Sequence, residues 1–86
     1  MKIKEGFIVK EVAGKYVVVS VGDEALNFNL IIHLNESGKL LFETLKTGAT
    51  EEELIKVLLD TYDVDEERAK KDVQAFTKVL KEKGIL

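Results

Sequence analysis

The stretch Leu34-Asn35-Glu36-Ser37-Gly38-Lys39-Leu40-Leu41-Phe42 most constrains this chain, because a strand pattern runs straight into a helix pattern there. Upstream, Leu30, Ile32 and Leu34 alternate with Asn29, Ile31 and His33, as in a strand with one dry face and one mixed face. Downstream, Leu41 and Leu45 stand one helical turn apart with Phe42 beside them, which predicts an amphipathic helix from about Glu36 to Lys46. Asn35 is placed to cap it, accepting from the free N–H groups of the first turn, and Glu36 lies near the positive end of its dipole. Gly38 in that first turn costs up to roughly 1 kcal/mol relative to alanine. Its presence predicts that another backbone crosses close by.

The remaining elements can be placed around this junction. Phe7 to Val12 and Tyr16 to Val21 are β-prone runs flanking Ala13-Gly14-Lys15, and so read as a hairpin. Val17, Val19 and Val21 share one face of the second strand, and that valine face is the expected core side. Gly22-Asp23-Glu24 breaks the run, and the connector Ala25 to Phe28 is expected to pack through Phe28. Beyond Thr47-Gly48-Ala49, the spacing of Thr50 and Glu53 makes a capping box for a second helix, with Leu54, Leu58 and Tyr62 plus Ile55 and Leu59 as a broad apolar stripe. Asp65 caps a third and longest helix through about Lys83, with Ala69, Val73, Phe76 and Leu80 inward. Gly84 is placed as a left-handed C′ residue that lets Ile85 fold back on Leu80. Three strands followed by three helices is an α+β order, and 86 residues hold one domain, here residues 1–86.

Enzymatic chemistry finds little support in these residues. A Ser–His–acid arrangement would need His33 to reach Ser20 or Ser37, and neither serine has the strand-to-helix elbow that exposes a nucleophile. The acidic groups at Glu51-Glu52-Glu53 and at Asp63, Asp65, Glu66 and Glu67 lie at helix starts, where carboxylates are favoured anyway, and lack calcium-loop spacing. The six glycines are scattered singly, so there is no phosphate-cradling loop. With no cysteine, the chain has neither a disulfide framework nor a thiolate metal site. No catalytic residue, metal site or cofactor is expected, and the pattern points to a binding module that is not an enzyme. The opening residues lack a secretory segment and no run approaches the ~20 apolar residues of a membrane span, so a cytoplasmic location without a membrane partner is expected.

From Phe7 onward the chain resembles the coenzyme PQQ synthesis protein D family, part of a wider group of peptide-recognition elements in ribosomal peptide-modifying systems. The match is carried by Leu34-Asn35-Glu36-Ser37-Gly38 running into Leu41-Phe42, then by Thr50, Glu53-Leu54, Leu58-Leu59, Tyr62 and Val64. A third block follows in Asp72-Val73, Phe76, Leu80, Gly84 and Leu86. Departures are modest: Phe42 stands where the family often has tryptophan, Ser37 where threonine is usual, and Lys39 where a small apolar residue is common, which suggests a more exposed or local role for Lys39. The resemblance implies a winged helix-turn-helix-like fold, with a three-stranded antiparallel sheet followed by three helices. It also implies capture of the leader segment of a precursor peptide and its presentation to a modifying enzyme, often a radical SAM enzyme. In the family the leader adds as an extra strand along the third strand, in the groove beside the third helix.

On this chain the implied main-chain partners are Asn29, Leu30, Ile31, Ile32 and His33. A helical wheel of the third helix adds Val79 and Ala75 as an apolar flank, with Arg68 and Asp72 on the same side to read charges on the leader. The competing reading is that this arc packs on the sheet. The opposite flank carries Lys70, Gln74, Thr77 and Lys81. A winged-helix DNA binder is the rival function, prompted by Arg68, Lys70, Lys71, Lys78, Lys81 and Lys83 on the third helix. A net charge of -3 and the interrupting Glu66, Glu67, Asp72 and Glu82 weigh against nucleic acid as a partner. A third reading is a structural subunit whose strand edge another chain covers.

Overall fold

Ala13 and Gly14 take positive φ (52° and 77°), so a two-residue turn joins β1 (Phe7–Val12) to β2 (Lys15–Ser20) with Val12 opposite Lys15. Positive φ at both turn residues matches the right-handed twist of the strands it links. The computed structural model describes residues 1–21 and 31–86; Gly22 to Phe28, including the expected packing of Phe28, and Asn29 and Leu30 lie outside the described residues. β3 (Ile31–Leu34) pairs antiparallel with β2, giving the sheet order β1-β2-β3. Then come α1 (Glu36–Lys46), α2 (Glu51–Thr61) and α3 (Glu66–Glu82). The expected order of three strands and three helices is therefore found.

The register corrects the choice of sheet face. Val9, Val18 and Ile32 are cross-strand partners and so share a face, and Val18 is fully buried while Val17 and Val19 are only half-buried. Phe7, two residues before Val9, is buried on the same side. Valine occupies both faces of β2, so alternation within that strand cannot choose between them. The neighbours do, because Phe7, Val9, Ile32 and Leu34 bring their apolar side chains to the face of Val18.

Helix boundaries follow their caps. Asn35 Oδ1 accepts from Gly38 N at 2.8 Å, Thr50 and Glu53 form the reciprocal capping box, and Asp65 Oδ1 accepts from Arg68 N at 2.7 Å. At the far end Gly84 (φ 77°) lets Ile85 N reach Leu80 O at 3.0 Å and Gly84 N reach Lys81 O at 3.1 Å, a Schellman ending that buries Ile85. Leu41, Phe42 and Leu45 from α1, Leu54 and Leu58 from α2, and Ala69, Val73 and Leu80 from α3 fill one core with Phe7, Val18 and Ile85.

Three expectations change. Among the described residues the atoms nearest Gly38 are side-chain atoms and not a crossing backbone: a methyl group there would meet Leu34 Cβ and Cδ2 at 3.3 Å and Asn35 Oδ1 at 3.2 Å, so the space is claimed by the capping residue and its neighbour. Leu59 leaves the apolar stripe of α2 and is 37% exposed. Thr77, placed by the helical wheel on a polar flank, is instead buried, and its hydroxyl donates to Val73 O at 3.0 Å within its own helix. That bond removes the cost of burying the hydroxyl.

The first residues add a strap that local pattern does not reveal. Ile3 N donates to Leu45 O at 3.0 Å and Lys4 N to Ile85 O at 2.9 Å, which ties the segment to the end of α1 and to the C-terminal tail, and the Ile3 side chain is buried in the core. Ile3→Ala should therefore lower unfolding free energy by about 2–4 kcal/mol, although Ile3 lies outside every helix and strand. Asn35→Ala should cost about 1 kcal/mol through loss of the cap, lowering Tm by about 4–8 °C. Urea and thermal denaturation of the two variants check both values.

Candidate functional site

β3 takes its hydrogen bonds from β2 on one side, and among the described residues no strand pairs with its other side. Such an edge presents alternate free N–H and C=O groups, a template for one more strand. Ile32 and Leu34 turn their side chains onto the core. His33 is exposed. Of the expected contact residues on this strand, Ile31, Ile32 and His33 belong to β3, whereas Asn29 and Leu30 lie outside the described residues.

Where β3 ends, the first turn of α1 and the flank of α3 enclose a recess of about 280 Å³. Gly38 and Leu41 line it from α1, and Arg68, Asp72, Ala75 and Phe76 from α3. A second recess of about 390 Å³ shares Asn35, Ser37, Arg68 and Asp72 with the first and adds Leu58, Tyr62 and Val64 from the end of α2 and the loop after it. The shared residues make the two recesses one trough around the start of α1.

Local bonding fixes the polar groups in this trough. Asn35 Oδ1 accepts from both Gly38 N (2.8 Å) and Ser37 Oγ (2.9 Å), which holds both side chains at the head of α1. Arg68 Nε lies 3.4 Å from Asp72 Oδ2, one helical turn away, with both side chains more than half exposed. On the far side of α1, Lys39 Nζ sits 4.8 Å from the centre of the Tyr16 ring and 3.7 Å from Glu43 Oε1. The role of Lys39 is thus local, a cation over an aromatic face.

The structure brings together three of the four residues read from the wheel of α3: Arg68, Asp72 and Ala75 all line the trough. Val79 follows Ala75 by one turn and is 42% exposed, but lines neither recess. The opposite flank faces elsewhere, since Gln74, Thr77 and Lys81 line a separate depression with Glu51 of α2. Sequence reasoning missed Ser37, Leu58, Tyr62, Val64 and Phe76 as lining residues, and treated Asn35 solely as a cap. The available signal was the junction itself: a capped helix starting directly after an edge strand leaves its first turn beside whatever lies along that edge.

The geometry sets His33 apart from Ser20. His33 pairs with Val17, whereas Ser20 lies on the face of Val18, so the two side chains project to opposite faces of the sheet. Ser37 Oγ is engaged with Asn35. Among the described residues there is no group of three or more His, Cys, Asp or Glu side chains able to hold a metal ion, and no helix is long and apolar enough to cross a membrane.

A three-stranded antiparallel sheet followed by three helices, with β3 at the edge of the sheet among the described residues, defines an α+β domain. The chain belongs to the coenzyme PQQ synthesis protein D family, whose model matches residues 15–86. Its fold is similar to that of TbiB1, solved in complex with the TbiA(beta) leader peptide: TM-score 0.77, 21% identity, covering 100% of this chain and 94% of the other. It is also similar to lasso peptide synthetase B1, solved with its leader peptide: TM-score 0.74, 21% identity, covering 98% and 93%. No curated protein matches the sequence.

The Arg68–Asp72 pair is exposed and screened by solvent, so it contributes little to folding. Arg68→Ala should change unfolding free energy by less than about 0.5 kcal/mol, checked by urea denaturation. This variant then reports on ligand contact without a change of fold.

Proposed function

We propose that this chain is a non-catalytic peptide-recognition domain that captures the leader segment of a ribosomally made precursor peptide and presents it to a modifying enzyme. The observation that carries the reading is that, among the described residues, β3 pairs on one side alone and that the trough lined by α1 and α3 begins where β3 ends. An extended guest running along Ile31, Ile32 and His33 gains affinity there from main-chain hydrogen bonds with alternate residues of the strand, and Asn29 and Leu30, which precede it in the sequence, are proposed as further contacts. Selectivity comes from side-chain contacts on α3, with Ala75 and Val79 offering apolar surface and Arg68 and Asp72 a paired charge. Membership of the family and the leader peptides bound to the two similar solved proteins support this assignment.

No covalent step is assigned to the chain, and no metal or cofactor is required for strand addition. The partner enzyme is one that acts on the precursor after the leader is held, with a radical SAM enzyme as the family's frequent case, and the work is placed in the cytoplasm. Duplex DNA is disfavoured as a ligand by the net charge of -3 and by the carboxylates among the lysines of α3.

A synthetic leader, taken from a precursor peptide encoded beside this chain's gene, should bind the protein in a fluorescence-anisotropy titration. Val79→Glu should raise Kd at least about tenfold while Tm moves by no more than a few degrees, because this exposed position contributes little to folding. Equal affinity of wild type and variant would remove Val79 from the site, and saturable, steeply salt-dependent binding to duplex DNA in place of the peptide would restore the rival.

A further inference from the structure

α2 carries apolar side chains beyond those it gives to the core. Ile55 is half-buried and Leu59, one helical turn on, is 37% exposed. With Glu52, Lys56 and Glu66 at the head of α3 they line a shallow depression of about 330 Å³. None of these residues lines either recess of the trough. Glu66 and Arg68 are two positions apart on α3, about 200° around its axis, so the depression and the trough lie on different sides of that helix.

Charge identifies what fits this face. Residues 51–67 hold eight carboxylates and one lysine. The whole chain has sixteen carboxylates against thirteen lysines and arginines, which leaves twelve bases against eight carboxylates elsewhere. Helix ends account for part of this acidity, since Glu51, Glu52 and Glu53 stand in the first turn of α2 and Glu66 and Glu67 in that of α3. They do not account for Asp60. The last turn of a helix favours a base, and α1 has Lys46 and α3 has Lys81 there, whereas α2 has no base and carries Asp60. Among the described residues Glu52, Asp60 and Glu66 form no ion pair with a neighbouring cation. A carboxylate set against its helix dipole is a local conflict of the kind that gathers at functional sites.

We propose that this face of α2 docks the modifying enzyme, which meets it with a basic patch centred on apolar side chains. The apolar centre covers Ile55 and Leu59 and supplies affinity, while lysines or arginines at its rim lie against Glu52, Asp60 and Glu66 and set orientation and encounter rate. The inference rests on the presentation reading for the identity of the partner and adds the surface that holds it. Because the trough stays uncovered, leader and enzyme are held at the same time.

The probe is the modifying enzyme encoded beside this chain's gene, immobilised and titrated with this protein by biolayer interferometry, with leader binding followed separately by fluorescence anisotropy. Wild type should bind the enzyme with a Kd that rises with salt. Leu59→Lys should raise that Kd at least about tenfold. The double variant Glu52→Gln with Glu66→Gln, confined to exposed side chains, should raise it severalfold and flatten the salt dependence, and it reads the same face if Leu59→Lys fails to fold. Asp60→Asn should weaken enzyme binding while Tm holds or rises, a combination that a merely structural carboxylate does not give. Leader Kd should stay unchanged in every variant. No enzyme binding by wild type, or an enzyme Kd that none of the variants alters, would overturn the docking surface and leave leader capture to its own titration. Enzyme binding lost in the variants without any leader binding would keep the docking surface and remove capture. Self-association that Leu59→Lys dissolves, read by sedimentation velocity, would make a second copy of this chain the occupant and overturn the enzyme.

Discussion

Where β3 stops, a single oxygen atom, Oδ1 of Asn35, accepts hydrogen bonds from Gly38 N and Ser37 Oγ and so converts an edge strand into a helix without an intervening loop. Everything downstream depends on the direction set there. The capped first turn commits α1 to place Leu41, Phe42 and Leu45 over the sheet face that carries Phe7 and Val18. The same turn forms one wall of the trough, with Arg68 and Asp72 on the other. Gly38 is confined by Leu34 and the cap oxygen, with a methyl group in that position crowded at 3.2–3.3 Å. Structure and candidate site thus share one small set of atoms.

The helices were legible because their ends are marked by side-chain chemistry that acts over three or four residues. Asn35, Thr50 with Glu53, Asp65 and Gly84 each perform at their helix ends the role their residue types imply. The sheet face was not legible in β2 alone, where valines lie on both sides and the decision is made by Val9 and Ile32 on other strands. The strap of Met1 to Lys4 was beyond reach for a stronger reason. Its partners, Leu45 O, Ala49 and Ile85 O, are distant in the chain, and nothing in its four residues announces them.

The candidate site divides along the same line. A wheel of α3 suffices to put Arg68, Asp72 and Ala75 on one side, because that depends on one helix and its period. Leu58, Tyr62 and Val64 join the trough because α2 ends and α3 begins against the head of α1, an arrangement of three elements that no window of sequence contains.

Thr77 has a consequence for the long helix that carries it. Its buried hydroxyl is satisfied by Val73 O and Gln74 O, both within α3, and the ion pairs Arg68–Asp72 and Lys71–Glu67 are internal to the same helix. Among the described residues, α3 sends no hydrogen bond or ion pair to α1, α2 or the sheet. It is held against them by apolar contact, which lacks the directionality of polar bonds. A helix seated in this way can roll or slide a fraction of an ångström without breaking a polar bond, the small shear motion known between packed helices. The long helix therefore has room to shift slightly against its neighbours while its own backbone stays intact.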